Sequence, residues 1–66
     1  MNILCNGEQL TVLPPHTVAS VIDQLNLNNQ PIAVAVNQEV IARSNWLSHQ
    51  LYAGDTLDIF QATLGG

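Results

Sequence analysis

The residues of this chain best suited to chemistry are its last two, Gly65 and Gly66, which close a strand-like run, Thr56-Leu57-Asp58-Ile59-Phe60-Gln61. Glycine has no Cβ, so a terminal pair forms a thin, flexible tail over about residues 63–66 that can thread a narrow channel. No side chain crowds the carboxylate at its tip. Such a group suits activation as an acyl-adenylate and attack by a nucleophile. The alternative is an ordinary frayed terminus, because chain ends are commonly disordered whatever their sequence. The rest of the chain has to decide between them.

Other reactive side chains are few and scattered. His16 and His49 lie far apart, and Cys5 has no partner at metal-ligand spacing, so no metal site is expected. Cys5 alternates with Ile3 and reads as a small buried hydrophobe. Gly7 and Gly54 are isolated turn residues, not a phosphate loop. No Ser/His/Asp arrangement emerges, and a domain of 66 residues has little room for a deep substrate pocket, which usually measures about 300 Å³ or more. The chain is therefore expected not to be an enzyme in its own right, and no cofactor is expected.

Composition narrows the partners. The acids are Glu8, Asp23, Glu39, Asp55 and Asp58, the only base is Arg43, and the net charge is −4. Nucleic acid is excluded as a partner, since Lys and Arg contacts to phosphate supply most of that affinity. A lone thiol and no signal sequence fit a reducing cytoplasm, and no apolar run approaches the roughly 20 residues needed to cross a membrane. There is no lysine at all. Sampling in a short chain accounts for that; so does chemistry, because an activated C-terminus would acylate a nearby amine.

One domain over residues 1–66 is expected, built from few elements. Residues 2–6 alternate weakly. Asn6-Gly7 is a hairpin signal, because a type I′ turn needs positive φ at both central residues. Glu8 to Leu13 is a second strand with Leu10 and Val12 on one face, ended by Pro14-Pro15. Thr17 suits a helix N-cap. Val18, Val21, Ile22 and Leu25 form one helical stripe over residues 18–26. Ile32 to Val36 is a third strand, with Val34 and Val36 on one face and Ala33 and Ala35 on the other. Glu39 to Ala42 is a short edge strand, Ser44 is placed to cap a helical turn holding Trp46 and Leu47, and Thr56 to Gln61 is the last strand. The sum is an α+β domain: a mixed sheet of four to five strands with one main helix across one face. The last strand is expected centrally, parallel to the first, with Ile3, Leu57 and Ile59 packed on Val21, Ile22 and Leu25.

The chain resembles the ThiS family, the ubiquitin-like sulfur carriers of thiamine biosynthesis. The carrying segments are Met1-Asn2-Ile3 with Asn6-Gly7, Thr17-Val18 opening a helix that ends at Leu25, the run Val34-Ala35-Val36-Asn37-Gln38-Glu39-Val40-Ile41-Ala42-Arg43 followed by Trp46, then Gly54-Asp55 and Gly65-Gly66. Ala42 stands where many relatives have proline, and residues 27–31 are less typical. The resemblance implies a β-grasp fold and a cycle at the terminal carboxylate. A ThiF-like adenylating enzyme would activate Gly66, sulfur from a cysteine desulfurase would replace one oxygen, and thiazole synthase would consume the thiocarboxylate. The small subunit of molybdopterin synthase is the second reading, and a plain ubiquitin-like interaction module the third.

Strand alternation also locates a docking surface. With Leu57 and Ile59 turned to the core, Asp58 and Phe60 face the other way. Phe60, the only phenylalanine, would then be an interface anchor, with Ala33 and Ala35 as a shallow apolar floor beside it. A bulge would instead turn Phe60 inward, into the core. The resemblance implies that this sheet face docks partners and that Leu64 guides the tail.

Overall fold

A computed structural model describes residues 1–61. Its elements follow the order β1 (Asn2–Cys5), β2 (Glu8–Thr11), α1 (Val18–Gln24), β3 (Ile32–Val36), β4 (Glu39–Ile41), a 3-10 turn (Arg43–Asn45) and β5 (Thr56–Gln61). They form a five-stranded mixed sheet in the order β2-β1-β5-β3-β4. The last strand is central, as expected: it runs parallel to β1, with Cys5 opposite Leu57, and antiparallel to β3, with Ala33 opposite Phe60.

Local chemistry sets the connections. Asn6 and Gly7 take φ values of 52° and 82°, the positive pair that the β1–β2 hairpin needs. The β3–β4 turn repeats this without glycine, at Asn37 (50°) and Gln38 (72°). Asparagine tolerates that region because its short amide bonds locally; here the Asn37 Oδ1 accepts from Thr56 N–H at 3.0 Å, stitching the turn to the start of β5. Helix α1 opens on a capping box. Ser20 N–H donates to Thr17 Oγ1 at 3.1 Å, and Thr17 N–H donates to Ser20 Oγ at 3.0 Å. Ser20, outside the apolar stripe, is thus half of the cap.

One cluster joins Val18, Val21 and Ile22 of α1 to Ile3, Val34, Val36, Ile41 and Leu57 of the sheet, with Val12, Trp46 and Leu51 closing its sides. Several expectations shift in detail. The helix is two residues shorter than the stripe suggested, with Leu25 as its C-cap. Leu25 and Ile59 are only partly buried, because both border an open groove at the edge of the core. Ser44 does not cap the turn: it lies inside it, and Ala42 holds the cap position with no side-chain bond. Trp46 Nε1 donates to Ile41 O at 3.0 Å. Arg43 lies over the Trp46 ring at 4.5 Å and donates to the carbonyls of Asn28 (3.2 Å) and Gln30 (2.9 Å). The single arginine of the chain therefore braces the 28–30 loop.

Candidate functional site: the open sheet face and the strand leading to the tail

Helix α1 covers one face of the sheet and leaves the other bare. On the bare face the central strand presents Asp58 and Phe60, and β3 presents Ala33 and Ala35 directly opposite them. Phe60 is 56% exposed, so no bulge turns it into the core. Ala33 beside it is exposed; Ala35 is covered, at 5%, because its methyl group lies between Asp58 on one neighbouring strand and Val40 on the other. Two more side chains extend this surface. Val40 is opposite Ala35, and Leu4 is opposite Thr56; both are exposed. The weak alternation of residues 2–6 attached no role to Leu4, and an edge strand of three residues gave Val40 too little alternation to read. The result is an apolar strip across β1, β5, β3 and β4 with one acid, Asp58, in its middle.

The route to the tail is set by the same strand. β1 ends at Cys5, but the parallel ladder continues through one side chain: Asn6 N–H donates to Leu57 O at 2.9 Å, and Asn6 Oδ1 accepts from Ile59 N–H at 2.8 Å. Asn6 therefore does two jobs. It supplies the positive φ of the hairpin, and on the β1 side it carries the hydrogen-bonded ladder on to Ile59, past the end of β1. Only the first was visible in the sequence, since the second depends on a residue 53 positions away.

On the helix side, an open groove of about 350 Å³ is lined by Cys5, Leu10, Leu25, Leu27 and Ile59 among others. Chain size alone thus did not exclude a concavity. Cys5 is half-buried there, not fully buried as the alternation suggested. Burial, with the Asp58 and Glu8 carboxylates nearby, pushes its thiol above the ordinary range. No helix among the described residues is long and apolar enough to cross a membrane. Leu64, Gly65 and Gly66 lie outside the described residues.

Comparison with known proteins settles the family. The pattern of the ThiS family matches residues 2–66, nearly every residue of the sequence. The chain belongs to the ThiS family. It is 32% identical, over all of both chains, to the sulfur carrier protein ThiS of Escherichia coli K12. Its fold superposes on the crystal structure of the thiamine biosynthesis protein ThiS from Geobacter metallireducens with a TM-score of 0.83, at 25% identity and full coverage of both chains. A ThiS-family member of this β-grasp architecture is a sulfur carrier of thiamine biosynthesis, a carrier protein and not a catalyst.

Proposed function

We propose that Gly66 is the residue that carries the sulfur, and that the open sheet face around Phe60 is where partners hold the chain while they work on it. The supporting observation is the family match, whose range of residues 2–66 includes Gly65 and Gly66. A carboxylate is a poor electrophile. Attack of its oxygen on the α-phosphate of ATP expels pyrophosphate and leaves an acyl-adenylate with a good leaving group. The terminal sulfur of a persulfide then attacks the carbonyl carbon and AMP departs. A second thiol takes the donor's sulfur as a disulfide, and the thiocarboxylate is released. ATP and the catalytic residues for these steps belong to a ThiF-like adenylating enzyme, the persulfide to a cysteine desulfurase or another donor, and the acceptor is thiazole synthase.

What this chain supplies is position. The central strand is hydrogen-bonded on both sides and extended by Asn6. Up to Gln61 the strand therefore has a fixed position, with Phe60 and Asp58 on its open face. Leu64 is the residue that guides the tail, and Gly65, without a Cβ, is slim enough to pass a narrow channel. Partner contact on the Phe60 face would place the terminus in the partner's site within the tolerance that such chemistry demands, where about 1 Å of misplacement can cost on the order of 10²-fold in rate.

The test is intact mass spectrometry after incubation with the adenylating enzyme, ATP and a sulfur source. The expected product has one oxygen replaced by one sulfur, and fragmentation puts the change on Gly66. A chain that stays unmodified, or that gains sulfur elsewhere, refutes the proposal.

A further inference from the structure

The absence of lysine acquires a spatial meaning once the strands are in place. Apart from the α-amino group of Met1, the chain has no amine. β1 and β5 run parallel, with Cys5 level with Leu57. Met1 lies four residues before Cys5, and Gln61 four residues beyond Leu57, in the same direction. At about 3.3 Å per residue, Met1 and Gln61 are therefore roughly 26 Å apart along the sheet. Met1 is held at that far pole, since its carbonyl accepts from Val12 N–H at 2.8 Å and the neighbouring Asn2 carbonyl accepts from Gly54 N–H at 2.9 Å. The five residues after Gln61 extend at most about 17 Å. The tail cannot bring Gly66 to the only amine of its own chain.

The imidazoles follow the same arrangement. The His16 carbonyl accepts from Leu51 N–H at 2.8 Å, and the His49 carbonyl accepts from Val18 N–H at 3.1 Å. Both residues thus flank the segment that enters the Tyr52–Asp55 turn, whose Gly54 is bonded to Asn2. At the pole of Gln61, Arg43 is the only basic side chain among the described residues, and its guanidinium is occupied by two carbonyls. One strong nucleophile remains within reach. Cys5 lies about 13 Å back from Gln61 along the sheet, half-buried in the groove between the β1–β2 turn and the end of α1.

We infer that this fold withholds every amine of the chain from its own C-terminal carbonyl, so that an activated terminus is kept for a nucleophile brought by a partner. The inference rests on the reading of Gly66 as the activated residue. An amine in reach would attack the activated carbonyl, form an amide and expel the leaving group, with its proton passing to water. That product is a dead carrier. The Cys5 thiol is held back from the same reaction by its surroundings: it is half-buried in the groove lined by Leu10, Leu25, Leu27 and Ile59, and that burial, with the Asp58 and Glu8 carboxylates nearby, disfavours its thiolate.

The test installs the activated carbonyl chemically, so it does not depend on any partner. The full chain is prepared with Gly66 as a thioester of 2-mercaptoethanesulfonate, and its decay is followed by intact mass at mildly alkaline pH. The reference is a peptide thioester ending in Ala-Thr-Leu-Gly-Gly. The unaltered chain should decay at the hydrolysis rate of that peptide. Gln61→Lys puts an amine on the last described residue of β5, and Gln30→Lys puts one in the loop just before Ile32, the residue opposite Gln61. Ala53→Lys places one at the far pole. The first two should lose the thiol at least about tenfold faster through internal amide formation, and the third should stay within about twofold of the unaltered chain. Rapid unimolecular self-acylation of the unaltered chain overturns the inference, as does inertness of both near-pole variants. Failure of Gly66 to accept sulfur from the adenylating system would register in a separate assay and would refute the sulfur-carrying role instead.

Discussion

Replacing Phe60 with alanine tests whether the open sheet face is a docking surface. A phenylalanine side chain presents on the order of 200 Å². Phe60 is 56% exposed, so roughly 110 Å² is free for a partner to cover. At about 25 cal/mol per Å², complete coverage would contribute about 2.8 kcal/mol. Alanine retains its Cβ and an interface rim stays wet, so the expected loss is about 1–2 kcal/mol, roughly a 5- to 30-fold rise in Kd for the adenylating enzyme. The covered part of the ring rests beside Ala33. It is smaller, and unfolded chains already bury some of it, so folding should lose about 1 kcal/mol. In a chain of this length that corresponds to a Tm lower by about 4–8 °C. Calorimetric titration and thermal unfolding of the same preparation give both numbers. Unchanged affinity in a folded variant removes Phe60 from the interface. A collapse of the Tm would mean that the ring is core in solution, and the docking argument would fail with it.

Three further expectations concern single positions. Deleting Gly66 should abolish thiocarboxylate formation by mass while leaving the circular dichroism spectrum and Tm unchanged, because the reacting carbon shifts by a whole residue. Cys5→Ala should keep sulfur transfer and lose about 1 kcal/mol of stability; since burial raises the thiol in the folded state, the native chain binds more protons than the unfolded one above about pH 8.5, so stability should fall from there up to the raised value, and the variant should lack that decline in denaturant titrations. Asn6→Gly keeps the hairpin's positive φ but removes the acceptor for Ile59 N–H, so it should cost about 1 kcal/mol and speed hydrogen exchange at Ile59; Asn6→Ala should cost more, because it loses the positive φ as well, and unchanged exchange at Ile59 in Asn6→Gly would show that the Ile59 bond contributes little.

What could be read along the chain was local or periodic. Asn6-Gly7 specified a hairpin because few residues tolerate positive φ. Thr17 specified a helix start because a hydroxyl there satisfies a free amide, and Val18, Val21 and Ile22 specified its buried side by their spacing. The alternation of Leu57, Asp58, Ile59 and Phe60 divided β5 into two faces correctly, and the family resemblance was carried by segments whose order survives without any coordinates. Errors arose where a neighbour distant in sequence decides burial. Ala35 is covered because Asp58 and Val40 flank it, and Cys5 is left half-open because the helix ends before covering it.

By itself, then, the sequence determined the kinds of element and their faces, because backbone sterics, capping and hydrophobic period act over a few residues. Tertiary structure alone decided which residues share the open face, that Asn6 extends the ladder beside β5, and that the chain's only amine stands about 26 Å from the start of the tail. Each of these depends on strand order and register. Those are set by the burial of all five strands and one helix together, not by any segment in isolation.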